Sequence, residues 1–305
     1  MINTLQIQVI PAVASNQDLL KENIAKKLAI PHLNIKYVDI LKSSIDARQK
    51  TTKINLKVAV YIKEEFLLKA EDFPEYQMVN GKDEVIIVGA GPAGLFAALK
   101  LIENGKKPVI IERGKDVQAR RKDLANLIKN HIVDEDSNYC FGEGGAGTFS
   151  DGKLYTRSKK RGDVNKVLDV LVRHGASPEI RVNAHPHIGT NKLPKIIQSI
   201  RDTILQYGGE IHFNSRLTGI SVKNNAVKGI VLQNGIKIES NKIILATGHS
   251  ARDIFELLHH KGIKIEVKPF AFGVRVEHSQ ALIDQIQYKC KTRSEFLPPA
   301  PYSIV

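Results

Sequence analysis

Cysteine is scarce. The 305-residue chain has two, Cys140 and Cys290, too far apart to form a CxxC or CxxxxC redox pair. That count also excludes a disulfide framework. Long uninterrupted apolar runs are missing as well. The best candidate, Val85–Ile102 (VIIVGAGPAGLFAALKLI), has one charge in 18 residues, but three glycines and a proline interrupt it near its start. It falls short of the ~20 residues of a membrane helix and reads better as a strand, a tight turn and a helix. The start, MINTLQIQVI, has no basic stretch ahead of an apolar core, so no signal peptide is expected and the cytosol is the expected compartment. Zinc-finger spacing, an aromatic-basic RNA-binding signature and internal repeats are all absent.

What is present is globular. Apolar residues make up 42% and charged residues 25%, which excludes a disordered tail, a collagen-like rod and a coiled coil. The length suits about two domains. Lys and Arg exceed Asp and Glu by 45 − 32 = 13. The excess rises toward the C-terminus without forming a block, and reads as a solvated basic surface with nonspecific attraction for phosphates or nucleic acid.

Residues 1–80 read as a small α+β domain. Leu5, Ile7 and Val9 alternate with polar residues as in a strand. Ser15 with Asp18 resembles a capping box, and Leu20, Ile24 and Leu28 then share a helix face that ends at Pro31. Ile35–Ile40 and Ile54–Ile62 are further strands, and the polar stretch 71–82 reads as a linker. Next come a β-branched strand, Glu84–Val88, a glycine turn, a helix from Pro92 stopped by Gly105, and a strand Val109–Ile111. This βαβ unit implies a parallel sheet. Helices are expected at 116–129, 163–174 and 191–207. Four short strands between Ile211 and Glu239 read as an antiparallel meander feeding a buried strand, Lys242–Ala246.

The βαβ unit carries chemistry. Gly89-Ala90-Gly91-Pro92-Ala93-Gly94 fits GxGxxG, follows a strand and opens a helix, and Glu112 ends the next strand 23 residues after Gly89. Together these make the dinucleotide fingerprint. Gly89 permits the tight turn, Gly91 lets the backbone approach a pyrophosphate, and Gly94 lets helix and strand pack. The helix N-terminus presents free N–H groups to the phosphates. Glu112 suits ribose hydroxyls and repels a 2′-phosphate, which disfavours NADP here.

A second GxGxxG, Gly142–Gly147, lacks both a preceding strand and a following amphipathic helix. It is not a second dinucleotide fold. With five glycines in the twelve residues Gly142–Lys153, it is either a mobile connector or a loop lying against a ligand.

These motifs, with Glu112-Arg113, resemble the flavoproteins of the glutathione-reductase-like superfamily. Ala246-Thr247-Gly248 after an apolar strand looks like their second FAD fingerprint. More narrowly, Asn138–Tyr155 (NYCFGEGGAGTFSDGKLY), His185–Leu193, Thr247–Asp253, Pro269–Glu277 and Ser44–Arg48 resemble a bacterial family of uncharacterised FAD-dependent dehydrogenases. The resemblance covers nearly the whole chain. It implies an α/β, Rossmann-like FAD/NAD(P)-binding domain with a meander (81–160 and 191–260). A ferredoxin-like α+β domain would precede it, and part of a substrate domain (161–190 and 261–305) would complete the chain. It implies FAD as cofactor, hydride transfer through flavin N5, and NADH or NADPH as electron donor, although no second nucleotide-binding βαβ unit occurs. The implied cofactor contacts are the Gly89–Gly94 turn, Glu112, Arg113, Gly147, Thr148, Ser150, Asp151, Gly152, Lys153, Leu217, Thr247, Gly248 and His249. Such flavoproteins close with a Gly-Asp or Gly-Glu segment. Nothing after Gly248 matches it, and the chain reads as C-terminally truncated at Pro298–Val305. The alternative from another class is an RNA-directed flavoprotein of the tRNA-modifying type, or a non-catalytic FAD-binding protein.

Other residues carry weaker signals. Cys140 beside the glycine loop reads as packing before redox. His185 and His187 lack a third ligand, so no metal is expected. Arg275 suits an acidic substrate or a surface equally. His259-His260 reads as a helix-end cap, and Arg120-Arg121-Lys122 as a solvated helix face. No catalytic acid or base is assigned.

Overall fold

The computed structural model describes residues 1–67, 73–150, 152–156, 162–189, 191–269, 272–274 and 276–302. It divides into two compact units, one of Met1–Glu71, Pro178–Pro186 and Pro269–Val305, the other of Asp72–Ser177 and His187–Lys268. The segments expected to form part of a substrate domain are thus shared between the two.

In the first unit, β1 (Ile2–Val9) pairs antiparallel with β3 (Lys53–Ile62), which pairs antiparallel with β2 (Ile35–Asp46). A short helix α1 (Pro11–Ala14) leads to α2 (Gln17–Leu28). The α2 cap is Asn16, not Ser15: its Oδ1 accepts from the N–H groups of Asp18 and Leu19 at 2.9 and 3.1 Å. The Ser15 hydroxyl instead donates to Ala12 O. Alternation along the strands puts Ile7, Val9, Leu56, Val58 and Val60 on the face that buries Leu20 and Ile24 of α2. Burying each such side chain contributes about 1.5–3 kcal/mol. Tyr288, in the last turn of α8 (Gln280–Tyr288), and Leu297 join the same core.

The second unit follows the expected βαβ order: β4 (Glu84–Val88), α3 (Pro92–Glu103), β5 (Lys107–Ile111). Strands β4 and β5 pair in parallel from Glu84↔Lys107 to Val88↔Ile111, and all but Glu84 and Lys107 are buried, as a sheet covered on both faces requires. Helices α4 (Val117–Asn130), α5 (Val164–Arg173) and α6 (Leu193–Gln206) follow. The strand expected to open the meander, β6 (Glu210–His212), instead pairs in parallel with β5. The meander is therefore three strands, β7 (Leu217–Lys223), β8 (Ala226–Leu232) and β9 (Lys237–Glu239). Asn224 and Asn225 turn its first hairpin, both at positive φ. Finally β10 (Ile243–Leu245) pairs in parallel with β4 and completes the order β10-β4-β5-β6, with α7 (Arg252–His260) after it. His259 and His260 lie in the last turn of α7, where a cation complements the dipole.

The polar stretch expected as a linker makes specific contacts at Tyr76 and Val79, while most of its other residues are exposed. Val79 is buried and donates its N–H to Tyr207 O at 2.9 Å, while the Arg173 guanidinium lies 4.0 Å from the Tyr76 ring centroid.

Candidate functional site

The C-terminal ends of β4, β5 and β10 converge on one rim, where an open parallel sheet ordinarily takes a ligand. The chain leaves β4 through Gly89, at φ +108, and a Cβ there would meet Ala246 O at 2.5 Å. Gly94 packs so closely that a Cβ would run into the Gly89 carbonyl. Gly91 differs. Its φ of −73° is ordinary, and the nearest atom to a Cβ there would be Gly145 Cα, 3.9 Å away. Gly91 is also the N-cap of α3, and no side chain caps that helix. Pro92 at the first helical position has no N–H, and no side chain caps the N–H groups of Ala93 and Gly94 that follow it.

Glu112, at the end of β5, is buried at 4% exposure. Its Oε2 accepts from Ala90 N at 2.7 Å, and its Oε1 from Gly114 N at 2.9 Å and Gly142 N at 3.0 Å. One carboxylate thus ties the first glycine turn, the strand end and the glycine loop together. A carboxylate accepts about four hydrogen bonds, so one acceptor position remains.

The glycine loop lies against the first turn. Gly144 N donates to Ala90 O at 2.8 Å, and a Cβ at Gly145 would stand 3.3 Å from Gly91 Cα. Gly142, Gly144 and Gly145 all have positive φ, the conformation glycine adopts without strain. Behind the loop sits Arg120, fully buried, contrary to the solvated helix face expected for it. Its helix position explains this. Val117, Arg120 and Leu124 share the buried face of α4, while Arg121 and Lys122 are exposed. Burial pushes the Arg120 guanidinium down to about 10, so it stays charged at neutral pH. Glu143 is also fully buried. Its Oε2 accepts from Val117 N at 2.7 Å and from Arg201 Nη1 at 2.9 Å, while Oε1 has no partner among the described residues. Burial pushes the Glu143 carboxyl up to about 7.

A cavity of about 640 Å³ occupies this rim. Gly89, Gly91, Pro92 and Ala93 line it from the first turn, with Glu112 and Arg113 from the end of β5 and Gly142, Gly145, Ala146 and Gly147 from the loop. Ser215, Arg216 and Leu217 at the start of the meander and Ala246, Thr247, Gly248 and His249 after β10 close it. Arg113 is held by Asp136 at 2.8 Å and Asp253 at 3.0 Å, and its guanidinium lies 4.1 Å from the Phe141 ring centroid.

Several residues expected at the cofactor stand elsewhere. Ala90 is fully buried behind the turn, and Gly94 is packed against Gly89. Thr148 is fully buried, its hydroxyl bonded to the carbonyls of Glu143 and Gly145. Ser150 turns its hydroxyl to Gly147 O. Gly152 accepts from Ile188 N, and Lys153 bridges to His187, so neither lines the cavity. Asp151 and Arg275 lie outside the described residues. Cys140 is an exposed free thiol at the cavity edge. Arg120 and Glu143 were not expected here. The spacing of Arg120 from Val117 and Leu124 was the available signal for the first, and none marks the second. Among the described residues no group of His, Cys, Asp and Glu is placed to hold a metal ion, and no helix is long and apolar enough to cross a membrane.

Three family models match the chain. The pyridine nucleotide-disulphide oxidoreductase model covers residues 83–284. The FAD-dependent protein, C-terminal domain-like model covers 269–305, and a domain of unknown function covers 1–61. An uncharacterized protein of Clostridium beijerinckii is 40% identical over 286 residues, covering 89% of this chain and 53% of its own length. The thiamine thiazole synthase of Aeropyrum pernix is 24% identical over 185 residues, covering 56% of each chain. The chain thus spans about half the length of these curated relatives. Among solved structures, THI4 of Thermovibrio ammonificans is similar at 19% identity, covering 60% of this chain and 64% of its own, with a TM-score of 0.40, too low to bear on function.

Proposed function

Because the chain belongs to the pyridine nucleotide-disulphide oxidoreductase family, FAD-dependent oxidoreductases, we propose that its cavity holds FAD along the two-fingerprint, glutathione-reductase-like path. The observation that carries this reading is the gap at Gly91. A Cβ there would meet one neighbour within 4 Å, Gly145 Cα at 3.9 Å, beside the uncapped N-terminus of α3. That is a seat for a diphosphate: N–H donors with a partial positive charge, and no side chain in the way.

The residues fit the rest of a dinucleotide. The spare acceptor position of Glu112 suits a ribose hydroxyl, and its negative charge opposes a 2′-phosphate. Arg113, Arg216 and Leu217 offer planar and apolar surface for the adenosine end. Gly145, Ala146 and Gly147 offer backbone toward the other end. Thr247, Gly248 and His249 close the rim as the second fingerprint. When bound, the flavin supplies hydride transfer at N5. What this chain contributes is binding and orientation, and with no CxxxxC pair that chemistry is not disulfide exchange. NADH or NADPH is the proposed donor, approaching without a nucleotide-binding βαβ unit of its own.

Release and chromatographic identification of the bound cofactor tests the reading. FAD is the expected product, followed by bleaching of the flavin spectrum under anaerobic NADH or NADPH. Release of FMN or NAD alone overturns it.

A further inference from the structure

We propose that Arg120 is the positioning residue of the cavity: its guanidinium holds the glycine loop at the spacing from the first glycine turn that a dinucleotide needs. The inference rests on the reading of the cavity as an FAD site and names the residue that sets its affinity.

The geometry is one-sided. Nε and Nη2 donate to Asn138 O at 2.9 and 2.8 Å, and Nη2 also reaches Tyr139 O at 3.1 Å. Nη1 donates to Glu143 O and Gly145 O, each at 2.8 Å, and to the Thr148 hydroxyl at 3.1 Å. Every acceptor belongs to the segment between Asn138 and Thr148. A guanidinium that served the fold in general would reach neighbouring helices or strands, and among the described residues this one donates to none.

It also lacks what usually accompanies a buried arginine. No carboxylate hydrogen-bonds to it among the described residues: backbone carbonyls and the Thr148 hydroxyl make the direct contacts, and the charges of Glu112 and Glu143 favour its charged form from farther off. The fit to the loop is close: a Cβ at Gly142 would stand 2.5 Å from Arg120 Cδ, which is why that position takes glycine at φ +109.

The pinned loop has two faces. Its carbonyls point back to Arg120. Two of its N–H groups point forward, Gly142 N to Glu112 and Gly144 N to Ala90 O, while Glu143 N donates to Lys115 O. The same loop then presents Gly145 and Gly147 to the cavity. Removing the guanidinium frees the carbonyls and with them the register of the cavity-facing backbone. Lysine cannot substitute, because one ammonium does not span acceptors fanned from Asn138 to Gly145.

The test compares wild type, Arg120→Ala and Arg120→Lys by FAD titration, with amide hydrogen exchange on the cofactor-free proteins. Arg120→Ala is expected to lose FAD affinity by about 30-fold, the effect of losing hydrogen bonds to a charged group. Faster exchange should be confined to Gly142, Gly144 and Gly145 and leave β4 and β5 unchanged. Millimolar methylguanidinium should restore FAD binding to the Ala variant and methylammonium should not, a chemical rescue that a general loss of stability would not show. Should Arg120→Ala fail to fold, Arg120→Lys keeps the stem and the charge and is expected to bind FAD about 10-fold more weakly than wild type. Wild type that binds FAD together with variants that bind it equally well overturns the assignment of Arg120 alone. Wild type that binds no FAD overturns the reading of the cavity on which the assignment rests.

Discussion

Glu143→Gln isolates a pH dependence that the buried carboxyl imposes on the second unit. Burial pushes Glu143 from the ordinary 4.5 up to about 7. The N–H of Val117 and the Arg201 guanidinium pull the other way, and burial prevails because Oε1 has no donor in place of the water it lost. The folded-state value lies above the unfolded one. Below 4.5 both states carry the proton and the stability is complete. As pH rises toward 7 the unfolded chain releases a proton that the folded chain keeps, so stability falls; above 7 the loss is complete. At 1.36 kcal/mol per pH unit, the interval from 4.5 to about 7 amounts to about 3 kcal/mol. Glutamine keeps an acceptor for Val117 N and has no charge to bury. The stability difference between Glu143→Gln and wild type should therefore shift by about 3 kcal/mol in favour of the variant between pH 4.5 and pH 8. For a unit of this size that is a relative melting-temperature shift of about 6–12 °C. Thermal melts of both proteins across that range, followed by circular dichroism, read it directly. A difference that stays constant with pH refutes the argument, because a carboxyl that titrates alike in both states cannot produce the slope.

Three substitutions at the rim give further outcomes. Gly91→Ala should leave the melting temperature within about 2 °C of wild type, since its Cβ meets only Gly145 Cα, at an ordinary contact distance of 3.9 Å, yet weaken FAD binding at least about 10-fold by entering the diphosphate seat. Gly94→Ala should instead cost about 1–3 kcal/mol of stability by overpacking against Gly89, so parallel melts and FAD titrations separate the two glycines. Glu112→Ala removes the acceptor of three backbone N–H groups and should cost about 3 kcal/mol or more in urea unfolding even without cofactor. A variant as stable as wild type would mean that the carboxylate contacts only ligand.

How far the sequence revealed this site depended on how far apart in the chain the partners lie. The β4–turn–α3–β5 unit was legible because its signals are local. β-branched strands, glycines at special φ and helical spacing of Leu95, Leu99 and Ile102 all act within a few residues. Glu112 was placed at the rim by its spacing from Gly89. Its bonds to Ala90, 22 residues back, and to Gly142, 30 residues on, join segments that no local pattern connects. The strand β6 reads as part of the meander because its sequence neighbours are meander strands, whereas its pairing partner β5 lies about a hundred residues earlier. The burial of Arg120 is hidden in the sequence for a different reason. Two flanking charges, Arg121 and Lys122, suggested a solvated face, while the apolar residues three before and four after put Arg120 on the inner face of α4. A charge on the inner face needs polar partners at hand, and a glycine loop with inward carbonyls supplies them. The glycines of Gly142–Gly147 and the buried arginine thus explain each other. The loop turns its carbonyls inward to a donor fork that receives them, and Arg120 is buried without a hydrogen-bonded carboxylate where the loop supplies those carbonyls.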